Sequence, residues 1–330
     1  MAVSIADIQK LRKMTGAGLS DCKKALTETE GNFDKAVEII REKGQAIAAK
    51  RSDRETSNGC VLVKYADNFG AIVALKCETD FVANGADYIK LTQDILDAAV
   101  AAKAKSLDEV KELTLADGTK VLDAVVARSG ITGEKMELDG YNFIEGENIS
   151  TYDHMGKHTL STMVQTNKAA EEQAHAIAMQ VAAMKPMFLD EASVSQEFIE
   201  EEKKVAAEKT KQELVQKAVD AALKKAGINP AHVDSEEHME SNMGKGWITA
   251  EDVAKAKEII ATVSAEKAAN LPAQMIENIV KGRINRIYKE NCLLNQEFIQ
   301  DSKLSVADYL KAADKDLTVV DYKRFSLSAD

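Results

Sequence analysis

Cys60-Val61-Leu62-Val63-Lys64-Tyr65 and Ala71-Ile72-Val73-Ala74-Leu75-Lys76-Cys77 are joined by Ala66-Asp67-Asn68-Phe69-Gly70, and Glu78-Thr79-Asp80-Phe81-Val82-Ala83 follows at once. Two apolar runs of strand length around a short polar turn predict an antiparallel hairpin. Beyond the junction a helix is predicted from about Ala86 to Lys103, with Ile89, Ile95, Leu96 and Ala99 inward. A connection between such elements is normally a polar surface turn. This one carries a large aromatic beside a carboxylate. A phenylalanine at a strand-to-helix corner either plugs its own core or enters another molecule, and the residues by themselves leave both readings open.

Before the hairpin, residues 4 to about 44 read as three short helices. Ser4 and Asp7 have capping-box spacing, Gly16 and Gly18 separate the first two helices, and Gly44 stands where a C-terminal cap belongs on the third. Polar residues 51 to 59 read as a linker. After the Ala86 helix, another is predicted over about Lys120 to Arg128. Strands are predicted at Lys135–Leu138, Tyr141–Glu145 and Thr159–Gln165, with a helix from Ala169 to Met184 stopped before Pro186. Hairpins with helices packed on them make an α+β core.

From about Ser195 the composition changes to long Lys/Glu/Ala-rich helices, Gln196–Lys225, Ala250–Ser264 and Pro272–Asn291, around a loop-like stretch holding Asn229-Pro230, Gly244 and Gly246. This predicts an antiparallel helical arm; thirty helical residues reach on the order of 45 Å. A short helix at Ser305–Ala312 and a strand at Leu317–Leu327 then rejoin the core.

Composition narrows the function classes. The formal net charge of -11 opposes broad binding to phosphate backbones or anionic membranes, both of which need clustered Lys and Arg. The expected partners therefore include no nucleic acid and no membrane. The four cysteines, Cys22, Cys60, Cys77 and Cys292, form no paired motif and read as reduced thiols. No apolar run approaches the ~20 residues of a membrane span and no leader pattern opens the chain, so a cytoplasmic protein is expected.

Signs of chemistry are few. There is no GxxxxGK[ST] or GxGxxG phosphate cradle and no GxSxG elbow. His154 and His158 are four apart, but Gly156 between them argues against a helix and no third ligand is evident, so no metal is expected. Carboxylate runs such as Glu200-Glu201-Glu202 lie among lysines and read as solvated faces. Neither a cofactor nor enzyme catalysis is expected.

Four segments in order resemble the elongation factor Ts family. They are Leu11-Arg12-Lys13-Met14-Thr15-Gly16-Ala17-Gly18 with Asp21-Cys22-Lys23-Lys24-Ala25-Leu26; Thr79-Asp80-Phe81-Val82; Ile177 to Pro186; and Ile279-Val280-Lys281-Gly282-Arg283 with Tyr288-Lys289-Glu290 and Leu293-Leu294. The resemblance implies a guanine-nucleotide exchange factor whose partner is elongation factor Tu. Asp80 and Phe81 would enter beside the nucleotide pocket of the partner's GTPase domain and dislodge its magnesium ion. Thr79 and Val82 complete that motif, with Val82 supporting the corner from beneath. Leu11, Met14 and Leu19 are candidate contacts that could equally be core, and Gln180 is a candidate contact where the family usually has histidine.

The implied architecture is a ubiquitin-associated-like three-helix domain (1–52), an antiparallel α+β core in two related halves (53–140, then 141–194 with 293–330), and the arm (195–292). Residues about 205–270 exceed the short turn that tips the family's arm, and Trp247 within them reads as local packing. Two rivals stand beside exchange: a protein-binding adaptor using the N-terminal helices and the arm, and a thiol-dependent activity at Cys77.

Overall fold

The computed structural model describes residues 3–328, and contacts divide the chain into two compact units. The first runs to Leu189 and resumes at Glu297; the second is Asp190–Gln296.

The first unit opens with α1 (Ile5–Thr15), α2 (Leu19–Glu28) and α3 (Phe33–Lys50). Ser4 and Asp7 close the expected capping box, and Gly16 ends α1 in the left-handed region at φ 69°. Leu11, Cys22, Ala25, Leu26 and Ala36 form the small core of these helices.

Strands β1 (Asn58–Ala66) and β2 (Phe69–Cys77) pair antiparallel. Asp67 and Asn68 link them with both φ angles positive (51° and 60°), the tight turn whose twist suits a hairpin. Next come α4 (Asp80–Ala83), α5 (Ala86–Ala102), α6 (Leu107–Glu112), α7 (Val121–Thr132) and β3 (Met136–Glu145), which pairs with β2. The two strands expected at Lys135–Leu138 and Tyr141–Glu145 are one. Ala74 faces Gly140 while Leu75 faces Leu138, so Asp139 bulges and breaks the apolar pattern.

The second half builds a sheet of its own from β4 (Ile149–Asp153), β5 (Leu160–Thr166) and, after the chain returns, β8 (Val319–Ser326). Helix α8 (Glu171–Met184) packs on β4 and β5. A hairpin, β6 (Glu297–Phe298) with β7 (Asp301–Ser305), and a helix over Val306–Ala313 precede β8. Val61, Ile72 and Ala74 of the first sheet share a core with Ile149 and Met163 of the second. Cys60, Ala71, Val73 and Leu75 instead face the α5 side. Both faces of β1 and β2 are thus buried, which explains apolar runs where a half-solvated strand would alternate. Gly140 is required at the sheet–sheet contact, since a Cβ there would lie 2.4 Å from the Phe325 ring.

Helix α3 corrects an expectation. It passes straight through Gly44, which is no cap but the crossing point with α7. A Cβ on Gly130 of α7 would sit 2.5 Å from the Gly44 Cα, so the two backbones approach more closely than any side chain allows.

In the second unit, α9 (Gln196–Lys225) packs against both α11 (Ala250–Ala269) and α12 (Ala273–Asn291), with α10 (Glu236–Gly244) between α9 and α11 in sequence. The stretch expected to be loop is therefore folded. The Ser235 hydroxyl accepts from the His238 N–H to cap α10, and Val219, Leu223, Ile228, Val233, Met239, Ile248 and Ala256 share one core. Only Met239 of α10 joins that core, too few apolar residues to show helical periodicity. Among the described residues, no helix is long and apolar enough to cross a membrane.

Two glycine substitutions should act in opposite directions. Gly130→Ala should destabilise the first unit by about 1–3 kcal/mol because α3 and α7 must separate. Gly282→Ala, on an open face of α12 with nothing within 4 Å of the new Cβ, should stabilise the second unit by about 0.5–1 kcal/mol. Urea denaturation of both variants against the parent checks the pair.

Candidate functional site

The corner after β2 is a single helical turn whose geometry is set from four sides. Thr79 caps it: the Val82 N–H donates to the Thr79 Oγ1 at 3.3 Å. The same hydroxyl donates to Glu134 Oε1 (2.6 Å), and the Thr79 N–H donates to Glu134 Oε2 (3.1 Å). Asn58 Nδ2 donates to the Glu78 carbonyl (3.0 Å), and the Asn84 amide donates to the Asp80 carbonyl (2.8 Å). Val82 and Ala83 pack into the core that α5 covers.

Glu78 anchors the entry to the turn. Its carboxylate accepts from the Lys135 N–H (2.6 Å) and pairs with Arg54 (2.8 Å) and Arg51 (3.0 Å). The Lys135 N–H above all, then the two guanidinium groups, hold its pKa down at about 2 against the burial that would raise it. The segment read as a linker thus supplies two of the cations that fix the site. Sequence reasoning missed Arg51, Arg54 and Glu134, because pairings between residues this far apart leave no local signal.

Held in this way, Phe81 is 88% exposed. It does not plug its own core. Asp80 is exposed beside it, and no polar contact of its carboxylate occurs among the described residues. An aromatic ring kept in water by a braced turn is the informative kind of exposure, since an isolated chain gains by burying it.

The other sequence-derived residues fall into separate places. Leu11 is 0% exposed in the N-terminal core, whereas Met14 (58%) and Leu19 (50%) stand on its surface. Gln180, on α8, is fully buried. Its amide donates to the Glu297 carbonyl (3.0 Å) and accepts from the Ile299 N–H (2.8 Å), so it fastens the β6–β7 hairpin to α8 and offers no exposed atom in this conformation. The structure brings Thr79, Asp80, Phe81 and Val82 together and does not bring Gln180 to them.

Cys77 is fully buried, burial pushes its thiol upward, and its Sγ lies 3.2 Å from the Thr79 carbonyl. That overturns the thiol-dependent alternative, which needs an accessible thiol of depressed pKa. His158 pairs with Asp153 (2.6 Å), and no group of three or more candidate metal ligands occurs among the described residues.

Comparison with known proteins agrees with the resemblance in the sequence. The family model described as "Elongation factor TS" matches residues 78–227 and 215–329. Proteins named "Elongation factor Ts" from Bacteroides fragilis, Porphyromonas gingivalis and Azobacteroides pseudotrichonymphae are 68%, 43% and 36% identical, each alignment covering all of both chains. With the family model over most of its length and relatives matching from end to end, the chain belongs to the elongation factor Ts family.

Proposed function

We propose that the chain is a non-enzymatic exchange factor that binds elongation factor Tu carrying GDP, inserts the Asp80–Phe81 corner beside the Mg²⁺ site and accelerates GDP release. The observation that carries this reading is the exposed Phe81 ring on a turn fixed by Thr79, Glu78 and Glu134. A bound Mg²⁺ bridges phosphate oxygens and supplies much of a nucleotide's affinity. A rigid aromatic that spreads the elements around that ion displaces its ligands, with Asp80 adding a negative charge on the same side. Linkage makes the effect mutual: whatever factor the exchange factor takes from GDP affinity, GDP takes from its own binding.

In this reading the N-terminal helices (1–52) grip the partner's GTPase domain, with Met14 and Leu19 on the contacting side. The first half of the core (53–140) carries the wedge, and the second half (141–194 with 293–330) meets further partner domains. Leu11 and Gln180 serve indirectly, one as core and the other by holding the β6–β7 hairpin. The setting is the bacterial cytoplasm, where translation elongation takes place.

Stopped-flow release of fluorescent GDP from elongation factor Tu tests the reading. Wild type should speed release by orders of magnitude, and Phe81→Ala should lose at least about tenfold of that gain, roughly 1.4 kcal/mol of transition-state stabilisation. Binding by wild type with release unchanged would instead make the chain an adaptor.

Bracing of the wedge yields a pH prediction. The Glu78 pKa lies below its unfolded value of 4.5, at about 2, so its stabilisation is complete above about pH 4.5 and fades as pH falls toward 2. Glu78→Gln should therefore be less stable than the parent at pH 6, and the gap should narrow steadily between pH 4.5 and 3. Urea midpoints across that range check it; a gap independent of pH would mean that the ion pairs contribute nothing.

A further inference from the structure

A pocket of about 230 Å³ opens directly beside the corner, lined by Asp80, Ala83 and Asn84 on one side and by Lys157, His158 and Thr159 on the other. The second wall belongs to the β4–β5 loop, from the other half of the core. Its backbone is pinned on both sides of Lys157. The Asp153 carboxylate accepts from both the N–H and the Nδ1 of His158 (3.2 and 2.6 Å). The His158 carbonyl accepts from the Val61 N–H of β1 (2.7 Å), and the Thr159 carbonyl accepts from the Leu327 N–H (3.0 Å). Met155, Gly156 and His158 all take positive φ (58°, 63° and 54°), so the loop is a tightly turned structure with Met155 exposed beside Lys157.

Lys157 is exposed, and no ion pair or hydrogen bond of its ammonium group occurs among the described residues. Its near neighbours in the loop are committed: His158 to Asp153, and His154 Nδ1 to the Tyr152 hydroxyl (3.1 Å). Two unpaired charges of opposite sign, Asp80 and Lys157, therefore line one pocket next to an exposed phenylalanine. Charges left unpaired on rigid supports are poised for groups on another molecule, and such charges steer encounter and fix register.

We propose that Lys157 is a further partner-contact residue that pairs with a carboxylate on the rim of the nucleotide site of elongation factor Tu. This rests on the exchange reading above. A carboxylate is the fitting anion because a cation that gripped the phosphates of GDP would hold the nucleotide in place. A cation that takes a carboxylate of the empty site stabilises the nucleotide-free complex, and by linkage that favours release. Asp80 and Lys157 together then present a dipole across the corner, giving the wedge a single orientation on its target.

The test uses the full-length chain with Lys157→Glu, Lys157→Arg and Phe81→Ala, in stopped-flow GDP release and in direct binding to nucleotide-free elongation factor Tu. Lys157 is exposed, so the variants should fold as the parent does. Lys157→Glu should raise the half-saturating concentration for exchange and weaken binding to the nucleotide-free partner by on the order of tenfold at low salt, the loss shrinking as salt rises. Lys157→Arg should stay within about twofold of wild type. If Lys157→Glu binds the nucleotide-free partner as wild type does while Phe81→Ala is impaired, the inference is overturned and the exchange reading stands. If wild type fails to accelerate release, both fall.

Discussion

The Glu78 carboxylate accepts from the backbone N–H at the entry to β3 and pairs with Arg51 and Arg54 from the segment after α3, so three distant stretches converge one residue before the corner. The stability of the first unit comes mainly from apolar burial between two sheets and their covering helices. Burial of that kind is non-directional and does not aim a side chain. The hydrogen bonds and ion pairs of Glu78, with Glu134 gripping Thr79 from the other side, turn a stable core into a directed one. The Glu78 bonds to Arg51 and to the Lys135 N–H are part-buried, and its carboxylate is multiply bonded, which separates it from the many surface ion pairs of this chain that carry little free energy.

That directedness matters because Phe81 is kept where an isolated chain would not choose to keep it. Burying a phenylalanine is favourable by roughly 1.5–3 kcal/mol, and α4 forgoes it. The next two residues of the turn, Val82 and Ala83, pack into the core instead. A single turn with its inner face packed and its cap held fixes the backbone that carries the ring. Less backbone freedom is then lost when the ring enters a partner.

Much of the fold was legible because local signals and tertiary packing agree. The Ser4–Asp7 box and Gly16 act where their chemistry predicts, and the hairpin turn falls within the five-residue joint Ala66–Gly70, narrowed to Asp67-Asn68 because Phe69 and Gly70 belong to β2. Legibility failed where a residue's meaning depends on something distant. Gly44 has the look of a cap but exists for Gly130. Asp139 and Gly140 look like a break between strands but form a bulge that seats Phe325. At the site, the Thr79–Val82 motif was readable, and only the structure decides that Phe81 faces water. Gln180 sits on a motif helix yet has both ends of its amide engaged within the fold, which a linear pattern cannot disclose.

If the corner works on Mg²⁺, its advantage must depend on that ion. The most direct measurement is the acceleration of GDP release from elongation factor Tu by wild type and by Phe81→Ala, compared in millimolar Mg²⁺ and in EDTA. With the ion already removed, wild-type acceleration should shrink sharply and the difference between the two proteins should close. Full acceleration in EDTA, with Phe81→Ala still impaired, would contradict displacement of Mg²⁺ as what the corner does.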